Sequence, residues 1–171
     1  MHQASYALAA NVLNSQRRRS RGYLNDPVAN PYDRILVGNC ERITPEFIRE
    51  HRITHVINCA EDGFAPAHVK IPGRYASIGA MDTLNVHLFA KWYPAFKAVM
   101  DAFLRDPSCQ NVYVHCQAGI NRSAFLTCGY LVKVFRVPLF QALSRMVDQR
   151  PCVMTNPAFL LQLVEFAKKS D

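Results

Sequence analysis

Between residues 34 and 169, short runs of apolar residues alternate with segments in which apolar residues recur every three or four positions. Four short runs predict strands. They read RILVG (34–38), ITHVINCA (53–60), RYASI (74–78) and NVYVHC (111–116). Because strands that alternate with helices are typical of α/β domains, we expect a central, mostly parallel, twisted sheet of about five strands flanked by helices.

Apolar residues recur every three or four positions in the segments between and after these runs, which predicts helices. A short helix in TPEFIREH (44–51) has Thr44 as its N-cap and Pro45 in its first turn. An aromatic stripe over 89–103 predicts a long helix packed on the core, with Pro94 either kinking it or lying in its first turn. Three more helices are predicted at the C-terminal end, over 122–136, 138–150 and 156–169.

The first 31 residues differ from the rest of the chain. Residues 4–16 have apolar positions at helical spacing, whereas residues 17–31, RRRSRGYLNDPVANP, are rich in charge and turn formers. We therefore predict two parts: an N-terminal helix with a basic linker over 1–31, and a folded domain over 32–171.

Composition narrows the classes of partner and site. The formal net charge of +7 favours anionic partners or serves solubility alone.

The six cysteines are scattered without a C-x-x-C pair, which is typical of a reducing compartment and argues against a metal site. Cys59 and Cys128 are interpreted as inert buried thiols. His51 and His55 flank the start of a strand, so we interpret them as surface histidines. With no secretory signal and no membrane-length apolar run, we expect a cytoplasmic protein with no membrane partner and no cofactor.

The candidate chemistry lies in residues 112–125, which read VYVHCQAGINRSAF. Cys116 ends the last predicted strand, and a short loop leads into a helix at Arg122. The backbone N–H groups of such a loop and the positive end of the helix form an anion site, where Gly119 permits close approach. A cysteine beneath such amides is stabilised as the nucleophilic thiolate, and the Arg122 guanidinium can bind two phosphate oxygens at once. The pattern indicates a phosphate site with a nucleophile at its base.

The loop resembles the signature of cysteine-dependent protein tyrosine phosphatases, specifically their compact dual-specificity branch. It reads HCQAGINRS, with five residues between Cys116 and Arg122, and Ser123 after them. The resemblance covers residues 32–168: two core strands are similar to RILVGN and THVINCA, and the C-terminal helix to RPCVMTNPAFLLQLVEF. Asn121 is similar to the residue at this place in viral dual-specificity phosphatases and RNA 5′-phosphatases, which is compatible with a virus-encoded enzyme acting in a host cell.

This resemblance implies a role for each residue of the loop. Cys116 would attack phosphorus to form a cysteinyl-phosphate, Arg122 would stabilise the developing charge, and Ser123 would ease departure of the sulfur in the second step. His115 would support the loop from behind. The phosphate-binding residues would be Gln117, Ala118, Gly119, Ile120, Asn121 and Arg122.

The reaction also needs an acid that protonates the leaving oxygen. The resemblance assigns this role to Asp82, which precedes the long helix and lies 34 residues before Cys116; a solvated or helix-capping aspartate is the alternative. Asp62 is a second candidate for the acid. Asn156 is expected to brace the phosphate loop, although capping of the last helix explains it as well.

Three functions are compatible with these residues. The favoured one is a dual-specificity protein phosphatase that hydrolyses phosphotyrosine and phosphoserine or phosphothreonine in phosphorylated proteins. An RNA 5′-phosphatase is less favoured, because Gln117 and Ala118 resemble the protein phosphatases and no aromatic and basic interleaving is evident. An inactive phosphoprotein-binding module is disfavoured because nucleophile, arginine and acid are all present. Residues 4–16 resemble a helix that viral relatives exchange between protomers, so a homodimer is expected.

Overall fold

The computed structural model describes residues 2–169, and within them it contains six α-helices and five strands. The order is α1 (His2–Arg17), β1 (Ala29–Tyr32), β2 (Ile35–Gly38), α2 (Pro45–Glu50), β3 (Ile53–Asn58), β4 (Tyr75–Ser77), α3 (Leu88–Arg105), β5 (Asn111–His115), α4 (Arg122–Lys133), α5 (Leu139–Gln149) and α6 (Pro157–Lys168). Two 3₁₀ turns, Asp62–Phe64 and Ala67–Val69, lie between β3 and β4. No helix within this described part of the chain is long and apolar enough to cross a membrane.

The five strands form one sheet in the order β1-β2-β5-β3-β4. All neighbours are parallel except β1, which runs antiparallel to β2. The predicted fold, a mostly parallel five-stranded sheet flanked by helices, is confirmed. His115 at the end of β5 lies in register with Gly38 of β2 and Asn58 of β3. The carboxyl ends of the three central strands therefore meet at one edge, where ligands bind in open α/β sheets.

Alternate residues of the central strands face two separate cores. Val112 and Val114 of β5 point into the larger core with α3, α4, α5 and α6, whereas Tyr113 points into a smaller core beside α2. The aromatic stripe of α3 lies in the larger core as predicted, with Phe89 and Phe96 buried and Pro94 inside the helix. The smaller core continues to α2, where Thr44 accepts a hydrogen bond from the first turn as predicted.

The segment predicted as a basic linker is partly structured. Its last residues form β1, which contains Pro31 and lies at an edge of the sheet, where a missing N–H breaks no ladder hydrogen bond. The N–H of Asn30 donates to Gln149 Oε1 (2.7 Å), so β1 is also tied to α5. Upstream, α1 packs on α5 and α6 of its own chain, with Ala9 and Leu13 fully buried.

One interpretation of the histidines is wrong. His55 is fully buried, not a surface residue, and its Nε2 lies 2.8 Å from Asp106 Oδ2. The reason is the place of β3 between β5 and β4, where α3 covers one face and brings Phe103 against the His55 ring.

Candidate active site

The loop between β5 and α4 folds tightly against the end of β2. Gly119 at its centre has φ +66°, and a Cβ built there would lie 2.3 Å from both the carbonyl carbon and the oxygen of Gly38. A side chain at this position would clash with backbone and strain the φ angle. Gly119 is therefore required for the shape of the loop.

Consecutive carbonyl groups of the loop accept hydrogen bonds from the segments around it. The pairs are Cys40 N to Gln117 O (3.1 Å), Arg150 Nη2 to Ala118 O (2.9 Å), Arg150 Nε to Gly119 O (2.9 Å) and Met154 N to Ile120 O (2.7 Å). By contrast, within residues 2–169 the backbone N–H groups of 117–122 have no acceptor. Buried backbone donors in folded proteins are nearly always satisfied, and Gly119, Asn121 and Arg122 are buried, so this row of N–H groups at a helix N-terminus fits an anion.

The thiol of Cys116 lies at the base of this loop and is 2% exposed. Its Sγ is 3.4 Å from Oγ of Ser123, a buried residue in the first turn of α4. A thiolate can only accept, so with the ionised sulfur the Ser123 hydroxyl is the donor. The arrangement combines one buried sulfur, one hydroxyl donor and the row of N–H groups.

The Arg122 side chain is held beside the loop, and one of its buried donor atoms has no partner there. Its Nη1 donates to Ala80 O (3.0 Å), in the segment after β4, and the residue is 8% exposed. Its Nε–H is buried and has no acceptor within residues 2–169. A buried unsatisfied guanidinium N–H is costly, so this donor fits a bound anionic group.

His115 supports the loop from behind. Its Nδ1 lies 2.7 Å from the Cys116 carbonyl oxygen, and since a carbonyl can only accept, Nδ1 carries the hydrogen. Burial lowers the pKa of His115 to about 4, so the ring is neutral at pH 7. A neutral ring that already donates to the backbone suits a structural part rather than an acid.

Asp82 is hydrogen-bonded to the loop and to the start of α6 at once. Its Oδ2 accepts from Asn121 Nδ2 and its Oδ1 from Asn156 Nδ2, both at 3.0 Å. Asn156 also donates to Thr83 O (3.1 Å), and its side-chain oxygen caps α6. The side-chain oxygen of Asn121, Oδ1, accepts the N–H groups of Thr155 and Asn156 (2.8 and 3.0 Å). The structure thus joins Asp82, Asn121 and Asn156 in one network, while Asn121 keeps its backbone N–H for an anion.

Asp62, the second candidate acid, is occupied elsewhere. Its two carboxylate oxygens accept from Lys70 Nζ (2.7 Å) and from the Tyr75 hydroxyl (2.6 Å). The bonds from Lys70 and Tyr75 lower the pKa of this carboxyl, which opposes the protonated form an acid needs. The geometry favours Asp82 over Asp62.

Sequence reasoning missed a fully buried arginine behind the loop. Arg150 follows α5, and its five side-chain hydrogen bonds within residues 2–169 all go to backbone carbonyls rather than to a carboxylate. Besides Ala118 O and Gly119 O, it donates to Asp26 O (3.0 Å), Pro27 O (3.1 Å) and Tyr23 O (2.9 Å). It therefore ties the loop of residues 116–122, called the catalytic loop below because it holds the candidate nucleophile, to the segment 20–28, which we call the strap.

The strap is held in turn by the carboxylate of Asp26, which is 2% exposed. It accepts from the Ser20 hydroxyl (2.7 Å), from Arg21 N (2.6 Å) and from Cys152 N (2.9 Å). Burial opposes ionisation, but these hydrogen bonds lower the pKa of the Asp26 carboxyl below its ordinary value. No local motif marks Asp26 or Arg150, because the contacts that join the strap to residues 150 and 152 span more than a hundred residues.

Two other cysteines behave as predicted. Cys59 and Cys128 are fully buried, and burial raises the pKa of both thiols. Cys59 follows β3 in the place next to Cys116, because Asn58 pairs with His115, and its N–H donates to His115 O (2.7 Å). Neutral buried thiols are poor nucleophiles, so neither Cys59 nor Cys128 competes with Cys116 as the candidate nucleophile.

Comparison with known proteins agrees with this geometry. Residues 35–169 match the model of the dual specificity phosphatase catalytic domain. The chain is 30% identical over 121 residues to mouse dual specificity protein phosphatase 19, covering 69% of this chain and 51% of that protein. It is 31% identical over 137 residues to human dual specificity protein phosphatase 2, covering 80% of this chain and 41% of that one. The chain thus spans about half or less of the length of these relatives.

Solved structures share the fold at low sequence identity. Human DUSP28 superposes with a TM-score of 0.69 at 22% identity, covering 83% of this chain and 93% of that one. The Orf virus tyrosine phosphatase OH1 gives a TM-score of 0.64 at 18% identity over 92% and 96%. Because the domain match extends over most of the chain, the protein belongs to the dual specificity phosphatase family.

Proposed function

We propose that the chain is a dual-specificity protein phosphatase that hydrolyses phosphotyrosine and phosphoserine or phosphothreonine esters through a cysteinyl-phosphate intermediate. Phosphorylated proteins are its partners. The observation that carries the proposal is the set of donors around the Cys116 thiol. The N–H groups of 117–122 and Nε of Arg122 have no acceptor within residues 2–169, and a phosphoryl group offers three oxygens to them.

In the first step, the Cys116 thiolate attacks phosphorus and an S–P bond forms as the ester P–O bond breaks. Asp82 donates a proton to the leaving oxygen, since a phenolate or alkoxide leaves slowly without one. Arg122 and the loop N–H groups bind the equatorial oxygens, where the transferred group is negatively charged. The hydrogen bonds of Asp82 with Asn121 and Asn156 support its part, because they hold the carboxyl at the edge of the loop.

In the second step, the Asp82 carboxylate accepts a proton from water as that water attacks phosphorus. The S–P bond breaks, and inorganic phosphate and the Cys116 thiolate are released. The Ser123 hydroxyl, 3.4 Å from the sulfur, donates to the departing thiolate. We therefore expect Ser123→Ala to slow the second step alone, so that a burst of leaving group precedes a reduced steady rate.

A paired phosphate-release assay tests the proposal. Phosphotyrosine and phosphothreonine peptides and a 5′-triphosphorylated RNA are offered to the wild type, Cys116→Ser, Asp82→Asn and the control Asp62→Asn. We expect peptide turnover that Cys116→Ser abolishes and that Asp82→Asn slows by about 100-fold. For an aryl phosphate with a stable leaving group the Asp82→Asn loss shrinks, while Asp62→Asn stays near the wild type.

Two outcomes would replace the proposal with the alternatives. Phosphate release from RNA but not from peptides would favour an RNA 5′-phosphatase. Peptide binding without release by the wild type, at a dissociation rate that Cys116→Ser leaves unchanged, would favour a phosphoprotein-binding module.

A further inference from the structure

Ser20 is the first residue of the strap and lies among arginines, in the sequence RRRSRG of residues 17–22. It is half-buried and lies after the end of α1, outside any helix or strand. Its hydroxyl donates to Asp26 Oδ2 (2.7 Å) and accepts the N–H of Gly22 (3.1 Å). The same hydroxyl thus satisfies the buried Asp26 carboxylate and fixes the turn that starts the strap.

A continuous set of contacts leads from Ser20 to the catalytic loop. Asp26 joins Ser20 to Cys152, in the turn after α5. The Asp26 carbonyl oxygen accepts from Arg150, which also holds the carbonyls of Ala118 and Gly119. The path from the Ser20 hydroxyl to the loop runs through Asp26 and Arg150, and its hydrogen bonds are 2.7–3.0 Å long.

We propose that Ser20 is a phosphorylation site, and that its modification releases the strap from Asp26 and lowers the activity of the catalytic loop. The part of this inference that concerns activity rests on the proposed function. The modifying enzyme is a protein kinase that selects arginine around its target serine, because four arginines at 17, 18, 19 and 21 offer charge to an acidic substrate groove. In the reaction, the γ-phosphoryl group of ATP passes to Oγ of Ser20, the hydroxyl proton is lost to a base of the kinase, and ADP leaves.

Phosphorylation removes the hydrogen bond in two ways. The ester oxygen of phosphoserine carries no hydrogen, so it cannot donate to Asp26. The phosphoryl group also brings a charge of about −1.5 to −2 to within contact of a buried carboxylate, which repels it. The neighbouring arginines attract the same group toward the surface. Both forces move Ser20 away from Asp26 and leave that carboxylate one donor short.

The test combines chemical modification with a charge-matched pair of variants. An arginine-directed kinase and ATP are applied to the full chain, and the modified residue is found by mass spectrometry. Ser20→Asp is compared with Ser20→Asn, which has nearly the same shape without the charge and keeps a donor for Asp26. The readouts are backbone hydrogen exchange of the strap and of Cys152, exchange of Val56 and Val114 in the central strands, and phosphate release.

We expect modification at Ser20, and exchange at the strap and Cys152 faster by about tenfold or more in phosphorylated protein and Ser20→Asp than in Ser20→Asn. Exchange at Val56 and Val114 should stay unchanged, which separates local release from global loss of stability. Phosphate release should fall with the same variants. Equal strap exchange in Ser20→Asp and Ser20→Asn, or modification only at other residues, would overturn the proposal. If the wild type shows no turnover, the proposed function is refuted. Hydrogen exchange of the strap would still test whether phosphorylation of Ser20 releases the strap from Asp26.

Discussion

Replacement of Arg150 by methionine tests whether the arginine behind the loop holds the site together. The variant loses five hydrogen bonds to carbonyl oxygens. Two of these oxygens keep another donor: Tyr23 O accepts from Asn39 Nδ2 (2.9 Å) and Asp26 O from Arg42 Nη2 (3.3 Å). The cost of the substitution therefore arises mainly at the remaining carbonyls.

Those carbonyls belong to Pro27, Ala118 and Gly119. An unsatisfied buried acceptor costs about 1–3 kcal/mol, so the three together cost about 3–9 kcal/mol before the structure relaxes. Relief of the buried charge and entry of water to the freed carbonyls reduce this cost, which favours the lower half of the range. We expect Arg150→Met to lower the free energy of unfolding by about 3–5 kcal/mol.

Denaturant unfolding of the full chain measures this loss, with Arg42→Met as the matched control. Arg42 also donates to strap carbonyls, but at 3.3–3.4 Å and without touching the catalytic loop, so we expect a loss below about 1 kcal/mol. Phosphate release by Arg150→Met, measured where the variant is still folded, should fall by at least about tenfold because the loop loses its shape. An Arg150→Met variant as stable as Arg42→Met would refute the reasoning.

Three further predictions concern other parts of the molecule. The pKa of His115 is lowered to about 4 from 6.5, so the unfolded state binds a proton first as the pH falls; between pH 6.5 and 4 the free energy of unfolding should drop by up to about 3 kcal/mol. His115→Gln should weaken this dependence of the free energy of unfolding on pH, measured by denaturant unfolding at several pH values. The same pH dependence in the variant and the wild type would contradict the lowered pKa of His115. Gly119→Ala should lower phosphate release by about tenfold or more, whereas Gly63→Ala, with open space around its Cβ, should not. If α1 exchanges between protomers, light scattering should find the full chain dimeric and a chain of residues 21–171 monomeric. A monomeric mass for both chains would contradict the expected homodimer.

Much of the fold and the catalytic loop could be predicted because their signals are local. Strands β2, β3 and β5 are rich in β-branched residues, and the carboxyl ends of neighbouring parallel strands meet at one edge of the sheet. Cys116 and Arg122 are separated by a short loop whose backbone geometry leaves few choices. Asp82 was predicted from its place before α3, and its hydrogen bonds with Asn121 and Asn156 bring it to the loop.

The rest depends on contacts between distant parts of the chain. Strand β1 has the sequence ANPY, which carries no strand pattern and is ordered by pairing with β2 and by Gln149. Arg150 resembles an ordinary surface arginine next to a proline, and only the folded structure gives it buried carbonyl partners 31 to 127 residues away. The same holds for Asp26, whose partner Cys152 is 126 residues away.

The position of Arg150, 31 residues after Gly119 in the chain, has a consequence for synthesis. A ribosome makes the strap and the catalytic loop well before it makes Arg150, and domains fold as their segments emerge. Until Arg150 and Met154 are free of the ribosome, the carbonyls of residues 118 to 120 lack their donors. A nascent chain that has not yet released Arg150 and Met154 should therefore carry Cys116 in an unformed loop, and the anion site should form only after both residues have emerged.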